Sequence, residues 1–233
     1  MQNSEIKEQE PEFDEFAEDY DSELKKGLSI SGEDKDYFAK GRIQWLKKRL
    51  AGIPTREVLD FGCGTGSATP FFFELLGIDR LLGQDPSEKS LSQARTKWSG
   101  FSAEFFQAPP ADSPAVDLAF CNGVFHHIPP EFREEAMESV FSQVKPGGYF
   151  AFFENNPWNP ITRLAMSRVP FDADAILVWP GEARKLLQDA GFEVRHKDFL
   201  FFFPRALAWL RPLEPFLRWI PFGGQYLILC QKP

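Results

Sequence analysis

An apolar run, Val58-Leu59-Asp60-Phe61, opens directly onto three glycines at alternate positions, Gly62, Gly64 and Gly66. Few features restrict a fold more. The run is strand-like, the stretch after it (67–76) is helix-like, and the bare link between them is a tight strand-to-helix turn. Glycine stands in such a turn where a Cβ would collide with the chain's own bend, a packed neighbour or a ligand. The remainder of the chain has to say which.

Strand and helix go on alternating downstream. EVLDF (57–61), RLLGQD (80–85), AEFFQ (103–107), VDLAFCN (116–122), YFAFFE (149–154), FEVRHKDFLFFF (192–203) and QYLILCQ (225–231) read as seven strands. Helices are expected over 67–76, over 87–98 with Ser87 as N-cap, over PPEFREEAMESVF, and over PGEARKLLQDAG with Gly191 as its stop. Pro146-Gly147-Gly148 reads as a turn. Repeated units of this length imply an α/β fold: a doubly wound, mostly parallel seven-stranded sheet with helices on both faces. Ligands of such sheets bind at the carboxyl ends of the strands, where the strand order reverses beside the first strand.

The ends and insertions follow from what the alternation leaves over. Residues 1–11 read as a disordered acidic tail and 12–54 as an N-terminal helical cap, in which FDEFAEDYDSELKK and 34–50 form two helices. The main domain is expected over 55–233, with insertions at about 155–178 and 204–222. Residues 1–36 hold 13 acidic against 4 basic side chains, so the rest of the chain is close to neutral despite a formal charge of −8. That balance lacks the basic footprint of a nucleic-acid binder. Cys63, Cys121 and Cys230 each sit in or beside an apolar run, as reduced thiols of a cytoplasmic protein do. The opening MQNSEIKEQE has no leader character, and no apolar run approaches the length of a membrane span.

The glycine spacing selects among nucleoside cofactors. Asp60-Phe61-Gly62-Cys63-Gly64-Thr65-Gly66 is G-x-G-x-G with an acid two residues ahead, where a dinucleotide fingerprint is G-x-G-x-x-G. An acid repels a pyrophosphate and attracts an ammonium. With this loop the sequence resembles the class I S-adenosylmethionine-dependent methyltransferases, closely over about 56–154 and loosely beyond. The resemblance implies a Rossmann-like methyltransferase domain and S-adenosyl-L-methionine as cofactor, spent to S-adenosyl-L-homocysteine. It implies that Asp60, Phe61, Gly62, Cys63, Gly64 and Gly66 pass under the methionine part. Asp85, followed by Pro86, grips the ribose hydroxyls in that pattern, and Asn122 and Gly123 close the fourth strand against the cofactor. The family's acid at the end of the third strand is missing; Gln107 or the Ala108 backbone stands there for the adenine.

The acceptor side carries weaker signals. His126 and His127 stand at the mouth of the site, and one of them is a candidate base or positioning group. Neighbours on an extended backbone point opposite ways, so the pair is not expected to share a metal or a substrate. No metal is expected, since Asn122 replaces an acid at the fourth strand's end and the cysteines lack further ligands. Tyr20 in the N-terminal segment, and Asn155, Asn156, Trp158 and Asn159 after the fifth strand, are substrate candidates. Residues 204–222 mix Trp, Phe and Arg; core cover or a dimer face ranks ahead of peripheral membrane contact. The chain thus reads as a monomeric or homodimeric enzyme methylating an O, N or C atom of a small molecule. A cofactor-binding regulator without catalysis is the alternative, followed by a methyltransferase for protein or lipid-linked substrates.

Overall fold

A computed structural model describes residues 27–110, 115–172 and 174–233, the side chain of Phe171 excepted. The expected acidic tail, the first helix and Tyr20 lie outside the described residues. Helix α1 (Lys35–Arg49) begins at Asp34, whose side chain caps it by accepting from Tyr37 N–H. It is followed by β1 (Glu57–Phe61), a short α2 (Thr69–Phe71) running into a π turn (Phe72–Leu76), and β2 (Arg80–Gln84). Next come α3 (Glu88–Lys97), β3 (Ala103–Phe106), β4 (Val116–Asn122), α4 (Arg133–Gln143) and β5 (Val144–Asn155). The chain closes with α5 (Pro160–Met166), α6 (Pro180–Asp189), β6 (Glu193–Leu200), α7 (Glu214–Leu217) and β7 (Gln225–Gln231).

The seven strands form one sheet in the order β3-β2-β1-β4-β5-β7-β6. β7 alone runs antiparallel, slotted between β5 and β6. Both faces are covered, which is why the strands read as near-continuous apolar runs. On one face Ile43, Leu46 and Leu50 from the α1 region pack on Val58, Leu118 and Phe153. On the other, Met137, Val140 and Leu187 pack on Leu59, Ala119 and Phe152. Neighbouring residues of one strand therefore serve opposite cores. α1 is also pinned to the sheet's far edge: Trp45 Nε1 and the Arg49 guanidinium both donate to the buried Asp198 of β6.

Three departures from the expected elements have local causes. Pro146-Gly147-Gly148 lies within β5 as an irregularity, the register with β4 jumping between Val116 and Leu118. β6 stops at Leu200 and does not run on to Phe203. Phe201 has φ +62°, a left-handed turn that ends the ladder, and Glu214 then accepts the N–H groups of Phe202 and Phe203. The third departure corrects the reading of 204–222 as core cover. This segment folds as a 3-10 stretch (Arg205–Leu213) and α7, broken by its prolines. It leaves Trp209, Phe216, Trp219 and Phe222 each more than 60% exposed.

Candidate active site

Strand order reverses between β2-β1 and β4-β5, and the turns leaving β1, β2 and β4 meet there. The three glycines of the first turn do different jobs. A Cβ on Gly62 (φ +74°) would stand 2.2 Å from Val124 Cγ2, and one on Gly66 (φ +70°) 2.8 Å from the Trp98 ring. Both are dictated by packing. A Cβ on Gly64 (φ +51°) would meet nothing within 4 Å. Of the three, only this glycine has room for a side chain.

That space is a cavity of about 390 Å³ lined by Gly62, Gly64, Asp85, Gln107, Asn122 and His127 among others. Asp85 organises it: Oδ2 accepts Gly64 N–H at 2.8 Å and Oδ1 accepts Ser87 N–H at 3.0 Å. Each oxygen of a carboxylate can accept more than one hydrogen bond. The Gln107 amide nitrogen donates to Pro86 O at 2.9 Å, fixing its side chain at the same rim. Asp60 lies behind the loop, 4% exposed. Burial, with the charge of Asp85 added, pushes its carboxyl up to about 7, although Arg42 pulls the other way. An acid held in that condition is stabilised in its ionised form by an incoming cation. The residues present fit an adenosyl amino acid on these grounds: a bare backbone at Gly64, a carboxylate at Asp85 able to accept hydroxyl donors, and a second, buried acid at Asp60 one residue before the lining residue Phe61. Asp60, Cys63, Gly66 and Ala108 do not line this cavity. Cys63 is buried against Gly83, and burial drives its thiol well above the ordinary range.

A second cavity, about 270 Å³, adjoins the first and shares Asn122, Gly123 and His127 with it. Its walls come from distant segments: Leu28 and Phe38, Met166 and Val169, Phe201 and Phe202. Its polar groups include Arg42, Asn155, Asn159 and Gln225. Gln225 ties several of them together, accepting from Arg42 Nη1 at 2.9 Å and donating to Asn155 Oδ1 at 3.1 Å. Asn159 also caps α5, accepting from the N–H groups of Ile161 and Thr162. Two expected substrate residues lie elsewhere. Asn156 is fully buried and donates to the carbonyls of Pro221 and Gly223, stapling the 204–222 insertion to the sheet. Trp158 meets Trp179 edge to face and Phe199 at a tilt, outside both cavities.

The histidines correct the expectation that they diverge. The chain turns after β4, His127 N–H bonding to Val124 O at 3.0 Å, so the backbone is not extended there. The ring centroids come within 4.1 Å, and both rings approach Asp172. His126 is buried with Nδ1 2.6 Å from Glu154 Oε2. Burial lowers its affinity for a second proton, but the charge of Glu154, its bond to Glu154 and the neighbouring Asp172 carboxylate outweigh this and hold it at about 10. Burial and the neighbouring His126 cation push His127 down to about 4, leaving it neutral. His126, His127 and Asp172 offer ligand atoms within 4.8 Å of one another. Glu154 and Asp172 have no place in the sequence reading. Glu154 ends an apolar strand beside more conspicuous asparagines, and Asp172 lies 45 residues past His127 in a loop without a motif.

Known proteins resemble the chain in the same region. A family model described as a methyltransferase domain matches residues 58–148, which include the glycine turn, Asp85, Gln107 and both histidines. The trans-aconitate 2-methyltransferase of Rhodopseudomonas palustris is 30% identical over 140 residues, 58% of this chain and 53% of that protein. The ubiquinone biosynthesis O-methyltransferase of Bordetella avium is 30% identical over 126 residues, half of each chain. The chain thus spans about half the length of these curated relatives. Among solved structures, an S-adenosylmethionine-dependent methyltransferase of Thermotoga maritima aligns over 95% of this chain and 98% of its own, with a TM-score of 0.66 and 21% identity. The magnesium protoporphyrin IX methyltransferase of Synechocystis, with S-adenosylhomocysteine bound, aligns over 95% and 96% with a TM-score of 0.64 and 16% identity. At such identities these two speak for the fold. No helix among the described residues is long and apolar enough to cross a membrane.

Proposed function

We propose that the chain is a class I S-adenosylmethionine-dependent methyltransferase, a reading supported by the methyltransferase-domain match over residues 58–148, and that it methylates an O, N or C atom of a small molecule with an apolar body and a polar end. The observation that carries this reading is the wall of Asn122, Gly123 and His127 common to the two cavities. A nucleoside in one cavity and an acceptor in the other would meet across this wall, as a transfer between them requires.

When bound, S-adenosylmethionine supplies an activated methyl group on a sulfonium, with a thioether as leaving group. The chain then has to orient, enclose and, for some acceptors, deprotonate. Asp85 would accept the ribose hydroxyls while its bonds to Gly64 and Ser87 hold the turn. Asp60 would face the ammonium end, and Gln107 would offer its amide oxygen to the adenine amino group. Orientation of two reactants in adjoining cavities can supply about 7–11 kcal/mol of barrier lowering, so no protein nucleophile is needed. His127, neutral and in contact with both cavities, is the group placed to touch an acceptor. His126 acts behind it, held by Glu154. The aromatic and aliphatic walls from 28–38, 161–169 and 201–203 would exclude water and favour an apolar acceptor body. Asn155 and Gln225 would meet its polar end.

The relatives, a trans-aconitate 2-methyltransferase in one case and a ubiquinone biosynthesis O-methyltransferase in another, support a small-molecule substrate without choosing one. Methyl-labelled S-adenosylmethionine incubated with the protein and metabolite extracts tests the reading. We expect label in a small, organic-extractable product. Cofactor binding by calorimetry without any labelled product across broad extracts favours the regulatory alternative.

A further inference from the structure

We propose that His126, His127 and Asp172 form a binding site for a divalent first-row transition metal ion, zinc in the simplest case, in the wall of the acceptor cavity. Two imidazoles and one carboxylate are borderline donors, suited to zinc, iron or cobalt and poorly suited to calcium or magnesium.

The geometry favours ligands around a common point over hydrogen-bonded partners. Asp172 Oδ1 stands 3.7 Å from His126 Nε2 and 3.4 Å from His127 Nε2. A charge-assisted hydrogen bond would draw such atoms to about 2.7–2.9 Å. Two donors sharing a metal at about 2.0–2.1 Å with tetrahedral angles stand roughly 3.3 Å apart. The observed spacings lie nearer the second case.

The surroundings match as well. A metal-ligating histidine commonly gives its other ring N–H to a carboxylate, which fixes the tautomer. His126 does this through Nδ1 to Glu154 Oε2 at 2.6 Å. Glu154 is itself fixed by the N–H groups of Phe125 at 2.8 Å and Asn155 at 3.2 Å. The Nε2 atom is left aimed toward Asp172. Charge points the same way, because Glu154 and Asp172 bring two carboxylates against the two imidazoles. His126, His127 and Asp172 all line the acceptor cavity, so further coordination positions open onto it. If methyl transfer proceeds as read above, an acceptor oxygen on such a position would be polarised beside the shared wall. The metal site itself does not depend on that reading.

The full chain, stripped with chelator and dialysed, is titrated with zinc chloride by calorimetry and with cobalt(II) by visible absorption, without cofactor or acceptor. We expect one saturable zinc equivalent and cobalt bands of a low-coordinate N/O site. His127→Ala and Asp172→Ala should each weaken zinc binding at least about 100-fold, and Glu154→Gln, which removes only the outer support, about 10–100-fold. Should Asp172→Ala fail to fold, Asp172→Asn keeps the shape and should still lose at least about tenfold. No saturable zinc binding, or equal binding in the doubly substituted H127A/D172A protein, overturns the proposal. The latter result would mean cations gathered elsewhere, by the acidic N-terminal residues above all. S-adenosylhomocysteine binding to the stripped protein is measured in parallel. Its presence without zinc binding sinks only the metal, and its absence with zinc binding sinks only the methyltransferase reading.

Discussion

The two cavities share a wall, yet they are built in opposite ways. The first is lined by residues from the ends of consecutive strands: the turn after β1, Asp85 after β2, Gln107 after β3 and Asn122 after β4. The second is assembled from segments near 28–42, 155–172, 201–204 and 224–225, which only the finished fold brings together. Local turn chemistry specifies the first cavity, proposed for the cofactor, and tertiary packing specifies the second, proposed for the acceptor. Within one fold, the first can therefore stay constant while the second changes its ligand.

Four experiments can break or sharpen this contrast. The largest effect is expected inside the glycine turn. Gly62→Ala forces a methyl into Val124 at a left-handed φ, and should cost about 2–5 kcal/mol through overpacking and backbone strain. Gly64→Ala meets open space and should cost only about 1–2 kcal/mol of strain while obstructing the cofactor. Denaturant melts and calorimetry on the two variants separate packing from binding; equal stability losses would erase the distinction. Next, Asp85→Ala should weaken S-adenosylhomocysteine binding about 10–100-fold with the fold retained, since charge-assisted bonds contribute about 1.5–3 kcal/mol each. Unchanged affinity removes Asp85 from the site.

The third effect is smaller and depends on pH. Asp60 has its carboxyl raised to about 7 by burial and Asp85. Its contribution to folding is therefore complete below the ordinary carboxylate range, near 4, and is lost as the pH rises toward 7. A cation bound beside it reverses the preference. Binding at pH 6 should release up to about one proton, and affinity should climb with pH to about 7 and then level off. Calorimetry in buffers of different ionisation heats reads the proton directly, and Asp60→Asn should abolish it. Buffer-independent heats would place the ammonium elsewhere. The smallest effect is expected for Trp158→Ala, outside both cavities. It should lower stability by about 1 kcal/mol through its lost ring contacts and leave cofactor affinity within about twofold. A larger loss of affinity would extend the cofactor site past the shared wall.

The same contrast explains what could be read from the residues alone. Strand identity came from apolar runs that are buried on both faces, as at Phe150–Phe153, and Ser87 caps α3 as its position suggested. The purpose of each glycine was not legible, because Val124 and Trp98, which dictate Gly62 and Gly66, arrive from 32 or more residues away. β6 looked three residues longer than it is, since nothing local marks the left-handed turn at Phe201. Asn155 and Asn159 were visible as polar residues past a strand end, but so was Asn156, which the fold spends on Pro221 and Gly223. Glu154 and Asp172 carry no local pattern. Only the turn at Val124–His127 and the path of α5 bring them to the histidines.

The most direct measurement is a crystal structure of the protein soaked with S-adenosylhomocysteine. We expect the ribose hydroxyls on Asp85, the amino acid end over Gly64 toward Asp60, and the sulfur facing the Asn122–Gly123–His127 wall with the second cavity beyond it. A ligand bound anywhere else, or a sulfur walled off from that second cavity by packed side chains, would contradict the arrangement on which donor and acceptor meet.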